Sequence, residues 1–368
     1  MHSSTMEYRP LPGTDLSVSA VSLGTLGFCR GKCSAEEMAE MTERALDRGV
    51  NFIDTAYAYG RGTVEEAIGP VIERRRDEVA VLTRGHLREP DEFREAFEGS
   101  FERLRTDTID LFELHDVSTP DLYEKVMSNG IYDTAREAQE AGRTGAVGIS
   151  SHGPGELLET IIASGRFRVV TVAYNLTGVQ RSSRDGERIS GTAERIIPLA
   201  YEHGVGITVM KPFGGGVILQ AAPDGTRLTP AECIRYVLAN PMVSTVSPGV
   251  NDREQLEAIL DAWHVGESLS DRERAELERK GQAWGQYFCR RCGYCLPCEQ
   301  DIDIPRMMQF YEQFRATGQS ARAGLQKRFA RFETPPSACI ECGVCEERCP
   351  YSLPIMVRLR ELAETFIG

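Results

Sequence analysis

Residues 34–55 read SAEEMAEMTERALDRGVNFIDT, and this stretch decides the fold. Its first part, up to Gly49, has helical periodicity. Ser34 stands as an N-cap before Glu36 and Glu37, and Gly49 as a stop. Its second part, VNFIDT at 50–55, is a short apolar run. A helix that delivers the chain straight into a buried strand is half of a repeating unit.

The same unit recurs outward in both directions. Apolar runs lie at AVSLGTLGF (20–28), VAVLT (79–83), IDLFELH (109–115), GAVGISS (145–151), VVTVAYN (169–175), VGITVMK (205–211) and VSTVSPG (243–249). Amphipathic segments such as EFREAFEGSFERL (92–104) separate them. Near-continuous apolar strands alternating with helices predict a parallel sheet covered on both faces. Eight units within about 250 residues predict an α/β fold of the (β/α)8 TIM-barrel type. The alternative is an open doubly wound sheet, but SLGTLG at 22–27 lacks the G-x-G-x-x-G turn expected after its first strand.

The chain has 368 residues, 41% of them apolar, with 42 basic against 55 acidic side chains and a net charge of −13. That length accommodates a large domain and a small one. The acidic balance argues against nucleic acid or an anionic membrane as partner, because both call for basic faces. No run approaches the about 18 apolar residues of a membrane span. The opening MHSSTMEYRPLPG lacks a signal-peptide pattern, so a cytoplasmic location is expected. In a reducing compartment the 11 cysteines do not imply a disulfide framework.

Three segments are expected: a barrel over 1–265, a capped connecting helix over 266–285, and a small, mostly helical cysteine-rich domain over 286–368. Between the cysteine clusters, residues 299–338 read as two helices around a glycine turn. Cysteines fall at Cys289, Cys292, Cys295 and Cys298, and again at Cys339, Cys342, Cys345 and Cys349. The second set is C-x2-C-x2-C-x3-C-P, the bacterial ferredoxin run for [4Fe–4S] clusters. Three closely spaced thiolates can cap three irons of one cube. The fourth, before proline, reaches the other cluster in two-cluster ferredoxins, and the same exchange is expected here. Structural zinc is the alternative, but it favours paired knuckles across a wide gap, and three cysteines at repeated x2 spacing crowd a tetrahedral site. Two [4Fe–4S] clusters held by these eight cysteines are therefore expected. Of the remaining three, Cys29 and Cys33 read as loop thiols and Cys233 as a core residue.

Reactive groups of parallel barrels stand at the C-terminal strand ends. Asp54 ends one run, Arg84 and His115 end the next two, and Tyr59 follows Asp54 closely. Each has a bland reading alone: a cap, a surface charge, a satisfied histidine. At equivalent positions they form a candidate site, with His86 as a further loop residue near it.

NFIDTAYAYG (51–60) is very similar to the signature of the aldo-keto reductases. VGIS (147–150), YNL (174–176), MKPFGGG (210–216) and SPGVNDREQLE (247–257) follow in that family's order. CGYCLPCEQDIDIP and CIECGVCEERCP resemble the branch with a C-terminal ferredoxin-like domain. The resemblance implies hydride transfer between NADP(H) or NAD(H) and a carbonyl or alcohol. Tyr59 would be the general acid, Asp54 its charged support and His115 the group orienting the carbonyl. The family's lysine position holds Arg84, which keeps the cation but replaces a compact ammonium with a planar fork. Arg84 thus implies either a changed reaction or a grip on an anionic substrate. By position the cofactor would meet Gly24, Thr25, Ser150, Ser151 and Asn175, then Lys211, Pro212, Gly214, Gly215 and Gly216, and finally Asn251 and Gln255 at the adenosine end. Thr171 stands where glutamine is common in the family, and Ile259 where asparagine is common.

Hydride carries two electrons and a cubane cluster one, so a mediator such as flavin is needed between them. Three readings follow. The chain is a barrel oxidoreductase on a carbonyl or alcohol; or its clusters feed single electrons to a reduction, elimination or dehydration; or it senses a nucleotide without catalysis. The expected partners are a small-molecule substrate and an external electron donor such as a ferredoxin. The basic stretch Arg322, Lys327, Arg328 and Arg331 would receive an acidic donor, or is simply the solvated face of a helix with Leu325, Phe329 and Phe332 inward.

Overall fold

The computed structural model describes residues 6–30, 33–86, 88–177, 195–216, 218–219, 222, 225–262, 269–285, 287–289, 293–317, 322–349 and 353–367. A hairpin of β1 (Tyr8–Pro10) and β2 (Ser17–Ser19) comes first, pairing antiparallel. Next come β3 (Leu23–Gly24), a short α1 (Leu26–Arg30), α2 (Ala35–Asp47), β4 (Phe52–Asp54), α3 (Thr63–Arg75) and β5 (Ala80–Gly85). After α4 (Pro90–Leu104) and β6 (Ile109–Leu114), two helices, α5 (Pro120–Ser128) and α6 (Ile131–Glu140), lead into β7 (Thr144–Ser151). Then follow α7 (Gly155–Ala163), β8 (Val169–Ala173), α8 (Ile197–Glu202), β9 (Gly206–Met210), α9 (Pro230–Leu238), β10 (Thr245–Ser247) and α10 (Arg253–Ala262).

β3 to β10 pair in parallel in strict chain order. Bridges between Val21 and Val246 and between Gly24 and Gly249 close the ring. This is the (β/α)8 barrel that the alternation predicts. The stretch 34–55 folds as read: the Ser34 hydroxyl accepts from the Glu37 amide, and the Glu37 carboxylate accepts from the Ser34 amide. α2 then buries Met38, Met41, Ala45 and Leu46 on one face. The run at 20–28 is different, since only two residues are strand and Leu26 begins a helical turn. Gly24 is needed there, because a Cβ would lie 2.5 Å from the Pro248 carbonyl oxygen.

The hairpin was not marked by any apolar run. Its Leu11 and Val18 are fully buried against Phe52, Leu82, Leu111, Ala146 and Val169, the inward residues at the strand starts. This apolar plug seals the N-terminal end and leaves the C-terminal end as the mouth.

Beyond the barrel, α11 (Asp271–Gly285) packs on α9 through Lys280–Glu232 and Arg235–Glu273 ion pairs. Its Trp284 is fully buried in the main core and stacks on Phe288 at 3.9 Å. The tail is mostly helical, with α12 (Ile304–Thr317), α13 (Arg322–Phe329), α14 (Val344–Glu347) and α15 (Ile355–Phe366). Its separate core joins Met307, Met308, Phe310, Leu325, Phe329, Leu359, Leu362 and Phe366 to the cysteines Cys289, Cys295 and Cys345. The helix pair between the cysteine motifs is as expected. Cys292, the 265/266 boundary and the glycine turn at 318 lie outside the described residues.

Candidate active site

Parallel register sets Arg84 of β5 beside Glu113 of β6, and Thr171 of β8 beside Thr208 of β9. Arg84 also reaches Thr171, on a strand that is not its neighbour, so these side chains meet inside the barrel. Arg84 is 3% exposed and Glu113 0%, which makes this a desolvated charge cluster. The guanidinium forks onto Asp54, with Nη2 to Oδ2 at 2.9 Å and Nη1 to Oδ1. Its Nε donates to Glu113 Oε2 at 2.6 Å. Nη1 also donates to the Thr55 carbonyl at 3.3 Å, and Nη2 to Thr171 Oγ1 at 3.4 Å. All five N–H groups of the arginine are thereby occupied. The Thr171 hydroxyl donates to Glu113 Oε1 at 2.6 Å, which leaves Thr208 to donate to Thr171.

Glu113 is the residue that sequence reading missed. Its signal was present: a lone acid inside the apolar run IDLFELH, in inward phase with Leu111. Gly148 makes room for it, since a Cβ there would lie 2.9 Å from Glu113 Cγ.

Tyr59 enters the mouth from the turn after β4, whose amide bonds to Ala56 and from Tyr57 to the Arg84 carbonyl fix its course. Burial raises the phenol above its ordinary range; Arg84 opposes this, and Asp54 and Glu113 add to it. His115 packs edge-on to Tyr59 at 5.9 Å between ring centroids, and His86 packs edge-on to His115 at 5.5 Å. Burial, then Arg84, His86, Arg88 and His152, hold the His115 imidazole well below its ordinary range and therefore neutral. Its Nδ1 is buried with no hydrogen-bond partner among the described residues. Asp54, Tyr59, Arg84 and His115 thus come together. Arg84 does not stand as an open grip for an anionic substrate, because every N–H is already engaged.

The residues matched to a nicotinamide dinucleotide lie at four places. Ser150 and Ser151 are 2% exposed at the end of β7. Their hydroxyl oxygens accept the Asp116 and Gly153 amides, which leaves each hydroxyl proton to donate to a ligand such as a carboxamide. Asn175 donates to the Lys211 carbonyl and braces the loop after β9. In that loop Lys211, Gly214, Gly215 and Gly216 all have positive φ, while Pro212 fixes the turn between them. The Gly214 and Gly216 amides already close local turns onto Lys211 and Phe213. Gly24 and Thr25 hold the barrel together: the Thr25 hydroxyl donates to the Asp54 carbonyl at 3.0 Å. Asn251 donates to Gln255 at 2.7 Å, so these two pair with each other on the exposed start of α10. Ile259 is buried in the core. The carboxamide end therefore fits a nicotinamide, whereas the adenosine end is weakly built.

In the tail, one cavity of about 270 Å³ is walled by Cys339, Cys342 and Cys345 of the second motif and by Cys295 and Cys298 of the first. The last cysteine of the first motif thus lies with the three closely spaced ones of the second. Among the described residues no group of three or more metal-ligating side chains gathers tightly enough for a single ion. These thiols surround a space, the arrangement a cube of iron and sulfur fits. Burial, then Glu346 and the neighbouring thiols, push Cys345 up to about 11. Cys29, Cys33 and Cys233 are free thiols, and burial pushes Cys233 up to about 12, in keeping with a core role.

Comparison with known proteins agrees with this architecture. Residues 20–232 match the model of the aldo/keto reductase family, and residues 288–354 that of the 4Fe-4S dicluster domain. The chain is 25% identical over 299 residues to "Uncharacterized oxidoreductase YqkF" of Bacillus subtilis (strain 168), covering 70% of this chain and 91% of that protein. It is 25% identical over 300 residues to L-galactose dehydrogenase of Arabidopsis thaliana, covering 72% and 90%. Among solved structures, aldo-keto reductase AKR11C1 from Bacillus halodurans (holo form) superposes with a TM-score of 0.60 at 23% identity, covering 75% of this chain and 96% of that one.

Proposed function

Because the chain belongs to the aldo-keto reductase family and carries a 4Fe-4S dicluster domain, we propose that this oxidoreductase acts on a carbonyl or alcohol group of a small molecule in the barrel mouth. The observation that carries the reading is the meeting of Asp54, Tyr59, Arg84 and His115 at the ends of three neighbouring strands. A nicotinamide dinucleotide, when bound, supplies hydride, and the clusters supply single electrons. Ser150 and Ser151 would hold the carboxamide, and the loop at Lys211, Pro212 and Gly214–Gly216 the phosphates. Neutral His115 orients the reacting oxygen, and Tyr59 holds the proton beside it.

We take residues 1–265 as the barrel, 266–285 as the connecting helix and 286–368 as the cluster domain. Cys339, Cys342 and Cys345 with Cys298 would hold one [4Fe–4S] cluster. Cys289, Cys292 and Cys295 with Cys349 would hold the other.

The test is an anaerobic titration of cluster-loaded protein with NADPH, followed at the visible cluster band, and then steady-state assay with a panel of carbonyls. The reading expects NADPH binding by fluorescence, carbonyl turnover and an unchanged cluster band. Absence of both binding and turnover overturns it. A second reading has its own support: burial, with Asp54 and Glu113, keeps the Tyr59 phenol above its ordinary range even though Arg84 opposes it, which makes it a weak proton donor. Single-electron reduction, elimination or dehydration, fed through the clusters by an external donor such as a ferredoxin, relies less on proton donation by Tyr59. Turnover only with a low-potential donor would select it.

A further inference from the structure

Two carboxylates compete for one guanidinium at the floor of the mouth. Asp54 takes both terminal nitrogens, and Glu113 takes Nε at 2.6 Å. Glu113 is held in turn by the Thr171 hydroxyl, which Thr208 backs. Asp54, Arg84, Glu113, Thr171 and Thr208 are all buried, and Gly148 supplies the space that lets Glu113 lie there.

We propose that Glu113 is a positioning residue that withholds Arg84 from Tyr59. It acts in two ways. It engages the Nε–H and locks the plane of the guanidinium, so no N–H can swing towards the phenol. Burial raises the Glu113 carboxyl above its ordinary range, while Arg84 and the Thr171 hydroxyl oppose this by favouring the carboxylate; as a carboxylate it also turns a neutral Asp54–Arg84 pair into a cluster with one excess negative charge beneath the mouth. A phenolate or substrate oxyanion above that floor is disfavoured, so the substrate's reacting end is uncharged or cationic, not a carboxylate. The proposal rests on the reading of Tyr59 as part of the site.

The charged and titratable groups facing Tyr59 are Asp54 from β4, Arg84 from β5, Glu113 from β6, His115 after β6 and Arg30 from α1. Glu113 and Arg30 have no role in the family pattern, and of these two Glu113 is the one bonded to Arg84. It is also the one that can be neutralised without changing shape, since glutamine can accept from Arg84 Nε and donate to Thr171.

The experiment titrates the Tyr59 phenol by ultraviolet absorbance in the full cluster-loaded chain, subtracting the titration of the Tyr59→Phe protein. Glu113→Gln should raise the ionisation constant of Tyr59 about tenfold, one pKa unit, and Glu113→Asp, which keeps the charge, should stay nearer the parent. An ionisation constant unchanged in Glu113→Gln overturns the proposal whatever the reaction is. If Glu113→Gln does not fold, the double variant Arg84→Lys, Glu113→Gln pairs one small cation with one carboxylate. It should show the same rise relative to Arg84→Lys alone, and an absent rise again counts against withholding. Turnover reads the other question: if Tyr59→Phe leaves catalysis intact, the functional reading fails while the titration still decides the role of Glu113.

Discussion

At the scale of single residues, the barrel mouth is governed by desolvation. A buried charge costs several kcal/mol unless it is paired and fully bonded; in the Asp54–Arg84–Glu113 cluster every N–H of the arginine is engaged, while the second carboxyl, Glu113, is raised above its ordinary range by burial. Gly148 is its weak point. Gly148→Ala would bring a Cβ to 2.9 Å from Glu113 Cγ and 2.8 Å from the Val169 carbonyl oxygen. Loss of about 1–3 kcal/mol of stability is expected, the range for overpacking, measured by chemical denaturation. His115 makes a pH prediction. Its folded pKa lies below its unfolded value of about 6.5, so below that pH the unfolded chain binds a proton that the folded one refuses. Its contribution is complete above about pH 6.5 and falls away as the solution is acidified. His115→Gln should flatten that part of the stability profile, and an unaltered slope would show that His115 is not kept neutral. Asp54, Arg84 and His115 were legible because strand ends in a barrel share one side. Glu113 was not recognised, because an acid in an apolar run has no meaning until its partner across the strand is known.

At the scale of elements, local signals and tertiary contacts divide the work. The capping box and apolar face of α2 are written in adjacent residues, so its limits could be read directly. The strand at 20–28 shrank to two residues because β3 must cross closely over the end of β10, and a helical turn follows at once. The seam between α11 and the barrel is also tertiary. A Cβ on Gly281 would lie 2.5 Å from the Leu176 carbonyl oxygen, and Leu176 follows Asn175, which braces the Lys211 loop. Gly281→Ala should therefore push α11 away and speed hydrogen exchange at residues 174–177, read by mass spectrometry. Unchanged exchange would mean that the helix does not support that loop. In α13, Leu325 and Phe329 are buried while Lys327 and Arg328 are exposed; Arg331, exposed, and Phe332, half-buried against the tail core, follow the end of the helix. Lys327→Glu with Arg328→Glu should slow reduction by an acidic one-electron donor if that face receives it, and an unchanged rate removes the face from consideration.

At the scale of the whole molecule, two cores of different character are joined by one helix. The barrel core is apolar and large, whereas three of the buried residues in the tail core are cysteines of the two motifs. Metal binding to such thiols is coupled to folding. Removing iron with a chelator and reductant should abolish a separate tail transition in calorimetry and leave the barrel transition near its original temperature. A single merged loss would show that the barrel depends on the tail. By itself the sequence determined the alternation that makes a barrel, the thiol spacing that calls for clusters, and the strand ends at which reactive groups stand. These follow from periods of a few residues, which are local properties of the chain. Only the tertiary structure decided that Glu113 lies against Arg84, 29 positions away, and that Thr171, 87 positions away, closes the same cluster. The physical reason is register: parallel strands are paired by the sum of packing around the closed barrel, and no short stretch carries that information.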